Sequence, residues 1–91
     1  MNTVRHYLIS GRVQGVWYRG SCQQQALKLG LKGWVRNLPD GRVEAVASGS
    51  ESSLEEFEHW LQQGPPMARV TDVDIRPDEE QVWQSFELID V

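Results

Sequence analysis

The sequence has a single cysteine and only two histidines in 91 residues. One thiol cannot close an internal disulfide, which sets aside the disulfide-stapled secreted scaffolds and points to a reducing, cytoplasmic setting. No apolar run approaches the roughly 20 residues of a membrane span, and the first residues lack the basic-then-apolar pattern of a signal peptide, so no membrane partner is expected. His6 and His59 stand at no metal-ligand spacing with Cys22 or with each other, so neither a metal nor a cofactor is read from them. No repeat, low-complexity tract or internal linker interrupts the chain. Residues 1–91 therefore read as one domain, long enough to bury roughly 60–65% of its unfolded surface.

Charge is unevenly spread. Residues 1–42 hold seven Lys/Arg and one acid, Asp40, a net +6; residues 43–91 hold Arg69 and Arg76 against twelve acids, a net −10. A long nucleic acid would be repelled by the acidic half, so no nucleic-acid partner is expected, whereas a small anion suits the basic half.

Periodicity gives the elements. Val4 to Val13 alternates with period two, Tyr7, Ile9, Gly11 and Val13 on one face and His6, Leu8 and Ser10 on the other, which predicts a strand. Tyr18, Cys22, Ala26 and Leu29 fall at helical spacing, with Gly30 placed to end the helix. Leu31 to Leu38 and Arg42 to Ser48 read as two strands of a hairpin closed by Pro39-Asp40-Gly41. Ser52 with Glu55, or Ser53 with Glu56, forms a capping box ahead of the apolar stripe Leu54, Phe57 and Leu61, and Gly64-Pro65-Pro66 stops this second helix. Its glutamates Glu51, Glu55, Glu56 and Glu58 read as a solvated face. Val70 to Ile75 is a fourth strand, and Gln84 to Ile89 has the pattern of a short fifth after the polar loop Pro77-Asp78-Glu79-Glu80. The order β-α-β-β-α-β defines an α+β, ferredoxin-like sandwich, with both helices on one face of an antiparallel sheet.

The chemistry concentrates in Gly11-Arg12-Val13-Gln14-Gly15-Val16-Trp17-Tyr18-Arg19, where the strand passes through a tight loop into the helix. Such a loop aims backbone N–H groups and the positive end of a helix dipole at one spot, a place for an anion. Gly15 tolerates positive φ and a close ligand. A cation is disfavoured at a helix N-terminus, so Arg19 is either an ordinary surface arginine or a ligand to an anion held there. Asn37 precedes the hairpin turn and is either a turn residue or an amide able to hold a water without titrating. Cys22 falls on the apolar stripe and reads as a core thiol, although its nearness to a helix N-terminus leaves reactivity open. Trp34, Phe57, Trp60 and Phe86 read as packing, and Arg12, Arg36 and Arg42 as solvated strand residues.

The first motif, followed by Gly33-Trp34-Val35-Arg36-Asn37 and Asp40-Gly41-Arg42-Val43-Glu44, resembles the acylphosphatases in order and separation, and the likeness runs from Arg5 to about Leu88. The resemblance implies metal-independent hydrolysis of the carboxyl–phosphate bond of acyl phosphates on this same fold, giving a carboxylate and inorganic phosphate. A monomer inhibited by inorganic phosphate is the expectation that goes with it. It also implies that Arg19 and Asn37 are catalytic, Asn37 orienting the attacking water, and that Gln14, Gly15, Val16, Trp17, Tyr18 and Arg19 bind the phosphate. Trp17 is larger than the residue the family often has there. The chain closes on Phe86-Glu87-Leu88-Ile89-Asp90-Val91 without the Arg-Tyr ending of some members. The RNA recognition motif shares the element order, but it stacks bases on aromatics of the first and third strands, and Arg42 to Ser48 has none.

Overall fold

In the computed structural model, which describes residues 2–79 and 83–89, the N-terminal run forms β1, Thr3–Arg12. It buries Tyr7 and Ile9 on one face, as its period of two requires. Helix α1, Tyr18–Lys28, buries Tyr18, Cys22 and Ala26. It ends in a Schellman motif: Gly30, at φ 73, donates its N–H to Leu27 O at 3.1 Å, and Leu31 N–H reaches Ala26 O at 2.9 Å. Then follow β2, Lys32–Asn37, β3, Val43–Gly49, α2, Glu51–Gln63, β4, Arg69–Pro77, and β5, Phe86–Ile89. Glu80, the last residue of the expected polar loop, and Asp90 and Val91 lie outside the described residues.

The strands lie in the order β4-β1-β3-β2-β5. Four of them pair antiparallel as the alternation predicts, and β5 adds to β2 in parallel, so the complete sheet is mixed. Tyr7, Ile9, Val35, Val43, Ala45 and Ala47 of the sheet pack in one core with Tyr18, Cys22, Leu54, Phe57 and Leu61 of the two helices. The Phe57 ring meets Tyr7 and Phe86 edge-on, at centroid distances of 5.6 and 5.9 Å. Cys22 is fully buried within this core, as its place on the apolar stripe predicts, and burial pushes its thiol above its ordinary range.

Two local readings change. The N-cap of α2 is Ser50, not Ser52 or Ser53: its hydroxyl accepts from Ser53 N–H at 3.2 Å. A serine at this position satisfies a backbone donor two residues earlier than a capping box at Ser52 would. Glu58 does not belong to a solvated face. Its Oε2 accepts from Arg5 at 2.7 Å and from the Tyr7 hydroxyl at 2.8 Å, tying α2 to β1. On the face of the sheet away from the helices, Arg36 Nε donates to Glu44 Oε1 at 2.6 Å and His6 Nε2 lies 2.7 Å from Glu44 Oε2. Burial alone would raise the Glu44 carboxyl, but the hydrogen bonds from His6 and Arg36 outweigh it and hold the group below the usual carboxylate range. Arg36 is thus a paired strand residue rather than a solvated one.

Topology fixes where a site can form. β3 runs antiparallel to both β1 and β2, so those two strands point the same way, and parallel β5 points with them. The C-terminal ends of β1, β2 and β5 therefore gather at one end of the sheet. There β1 feeds the loop before α1, β2 ends on Asn37, and β5 ends on Ile89.

Candidate active site

The loop from Gln14 to Trp17 owes its shape to two residues at positive φ, Gly15 at 74° and Trp17 at 64°. With Val16 between them outside the left-handed region, backbone handedness alternates, and this turns successive N–H groups toward one side. A Cβ on Gly15 would meet no atom within 4 Å, so glycine is needed there for its backbone and the space beside it is open to a ligand. Among the described residues, the backbone N–H groups of Gln14, Gly15, Val16 and Trp17 donate to no other group of the chain. Four consecutive free donors at a helix N-terminus are an anion site in waiting.

Trp17 holds a conformation that costs a non-glycine residue about 1 kcal/mol. Its indole lies against Gly20, where a Cβ would come within 2.7 Å of the ring. The residue as a whole stays 65% exposed and lines the cavity. Gly20 is therefore the partner that lets so large a residue cap α1.

Few of the loop side chains face the cavity. Val16 packs against the core, and Tyr18 is buried with its hydroxyl donating to Leu61 O at 2.7 Å. Burial pushes that phenol well above its ordinary range. Tyr18 can serve an anion only through its backbone. Arg19 brings the one charge of the loop, and its Nη1 donates to Ile89 O at 3.1 Å. One helical turn on, Gln23 Nε2 donates to Phe86 O at 3.1 Å. Two long donors spaced i and i+4 thus grip the backbone of β5, which is how the fold aims the guanidinium.

A cavity of about 400 Å³ lies at this end of the sheet, within the range of small-molecule sites. Gln14, Gly15, Trp17, Tyr18, Arg19 and Asn37 all line it, and Val16 does not. Asn37 sits two residues beyond the buried Val35 on β2, so its side chain faces α1. Its Oδ1 is buried and, among the described residues, accepts no hydrogen bond. An amide oxygen is an acceptor with two lone pairs, so this one is available to a donor that the chain itself does not supply. Gln14 turns its amide away from the loop: Nε2 donates to Leu38 O at 2.8 Å and to Arg42 O at 2.9 Å. Leu88 of β5 and Gly20 also line the cavity and were not among the residues singled out in the sequence.

N–H donors, a guanidinium and an amide oxygen without a donor thus line one cavity, an arrangement able to receive an anion. The comparisons agree on the class. The acylphosphatase family model matches residues 5–88. An acylphosphatase of Methylococcus capsulatus is 59% identical over 71 residues, 78% of this chain and 77% of that protein. One of Nitrosococcus oceani is 49% identical over 88 residues, 97% of this chain and 99% of that protein. The solved structure of an acylphosphatase from Coxiella burnetii superposes with a TM-score of 0.94 at 39% identity, covering 97% of this chain and 93% of that one. The chain belongs to the acylphosphatase family of enzymes.

Proposed function

We propose that this chain hydrolyses the carboxyl–phosphate bond of small acyl phosphates without a metal ion, releasing a carboxylate and inorganic phosphate. The observation that carries this reading is the placing of Arg19, the free N–H groups of the loop and the unsatisfied Oδ1 of Asn37 around one cavity. All the donors for the phosphoryl oxygens are N–H groups, and Arg19 supplies the countercharge a metal would otherwise bring. The loop and Arg19 hold the phosphoryl group, and charge gathering on its equatorial oxygens strengthens those hydrogen bonds in the transition state. Asn37 Oδ1 accepts one hydrogen of a water and sets its oxygen in line with the bond to be broken. The new P–O bond forms as the carboxylate leaves with its electron pair, and the water proton passes to a phosphoryl oxygen. The carboxylate is a good leaving group, so no general acid is required.

The same reading places the enzyme in the cytoplasm as a monomer. A single buried thiol suits a reducing compartment. Turnover of benzoyl phosphate or acetyl phosphate is expected to continue in excess EDTA. Inorganic phosphate is expected to inhibit competitively and to raise the melting temperature by mass action. Phosphate binding without turnover would make the chain an anion-binding module instead.

A further inference from the structure

Gln14 starts the phosphate loop, yet its side chain reaches across the end of β3 to the hairpin that carries Asn37. Its Nε2 has two hydrogens and spends both, on Leu38 O at 2.8 Å and Arg42 O at 2.9 Å. Those carbonyls stand on opposite sides of the hairpin neck, where Leu38 N–H also donates to Arg42 O at 2.8 Å and Gly41 N–H to Leu38 O at 3.2 Å. Among the described residues, no other side chain from outside the hairpin hydrogen-bonds to residues 38–42. The tip itself, Pro39 and Asp40, is exposed. Without Gln14, the turn after Asn37 would be tied to the loop only through the sheet, across roughly 10 Å from β1 over β3 to β2. Gln14 and Asn37 also line a second cavity with Arg36, Leu38 and Pro39, so together they form the wall between it and the first.

We propose that Gln14 is a positioning residue: its side-chain amide acts through Asn37, fixing the gap between the water site and the phosphate loop, and does not itself bind phosphate. The proposal rests on the acyl phosphate reading of the cavity. With both hydrogens committed to backbone carbonyls, the amide has no donor left for an anion, and its contribution falls on the rate of attack. The backbone N–H of the same residue remains free for phosphate, so side chain and main chain of Gln14 have different tasks.

The test is Gln14→Met, which keeps the length and removes both donors, measured alone and combined with Asn37→Ala. The single variant is expected to lose roughly 10- to 100-fold in kcat, the cost of about an ångström of misplacement. Competitive inhibition by inorganic phosphate should stay within about twofold of the parent, because the bound phosphate does not feel the amide. In the Asn37→Ala background the same substitution should change kcat by less than about twofold, since the residue it positions is gone. A phosphate inhibition constant that rises in step with the loss of kcat/KM would make Gln14 a direct ligand and overturn the proposal. So would an equal loss with and without Asn37, or a kcat unchanged by Gln14→Met. A phosphate-induced rise in melting temperature in each variant shows that the loop is folded, and Gln14→Asn, whose amide is too short to span the neck, should reproduce the kcat loss. Absence of turnover in the parent protein would remove the acyl phosphate reading and this proposal with it, whereas an active parent and an equally active Gln14→Met would sink the proposal alone.

Discussion

Arg19→Ala is expected to lower kcat/KM by roughly a thousandfold or more, the scale of an arginine that meets charge developing on a transferred phosphoryl group. The side chain does not choose its direction freely. Its Nη1 is held by Ile89 O at 3.1 Å, so the guanidinium stands beside the loop before any ligand arrives, and little ordering remains to be done on binding. Arg19→Lys should recover only part of the loss, because an ammonium offers a point charge in place of a planar fork that can serve the β5 carbonyl and a phosphoryl oxygen together. The folded state should change little. The alanine variant removes a cation from a helix N-terminus, where positive charge is unfavourable, and leaves the buried core residues of α1 in place. Circular dichroism and a melting curve beside the kinetics separate loss of chemistry from loss of fold.

Asn37→Ala is expected to cost at least about a hundredfold in kcat, the usual effect of deleting one positioned polar group. The fold should be little changed: the variant is expected to melt close to the temperature of the parent protein, so the loss is one of rate and not of folding. Phosphate affinity should be nearly unchanged, since the loop and Arg19 are intact. Weaker phosphate binding in proportion to the lost rate would make Asn37 a phosphate ligand and not the holder of the water.

Most of the architecture was legible because the patterns that define it are local. The alternation around Tyr7 and Ile9, the helical spacing of Tyr18, Cys22 and Ala26, and Gly30 as a helix stop each depend on neighbours a few residues away. The loop and Asn37 were legible for the same reason, as was their meeting: the strand order brings the ends of β1 and β2 to one edge of the sheet. What the sequence did not show is how these parts are held. The contact between Arg19 and Ile89 joins positions 70 residues apart, and those from Gln14 span 24 and 28. Each ends on a backbone carbonyl, an acceptor that any residue type carries, so composition gives no sign of it. The direction of β5 was hidden as well. Four residues, Phe86–Ile89, show no feature that separates a parallel from an antiparallel partner, and their parallel pairing with β2 is seen only in the assembled sheet. Glu58 was misjudged because its partners, Arg5 and Tyr7, come from the opposite end of the chain. Ser50 was missed because Ser52 and Ser53 offer the same chemistry within three residues.

In the proposed reaction a water held by Asn37 attacks phosphorus while the loop and Arg19 hold the phosphoryl oxygens. Hydrolysis of acetyl phosphate by the purified protein, in water enriched in heavy oxygen and with EDTA present, tests it most directly. Mass spectrometry of the products should place one heavy oxygen in the released phosphate and none in the acetate. Label in the acetate would mean attack at the carbonyl carbon, and it would contradict the account.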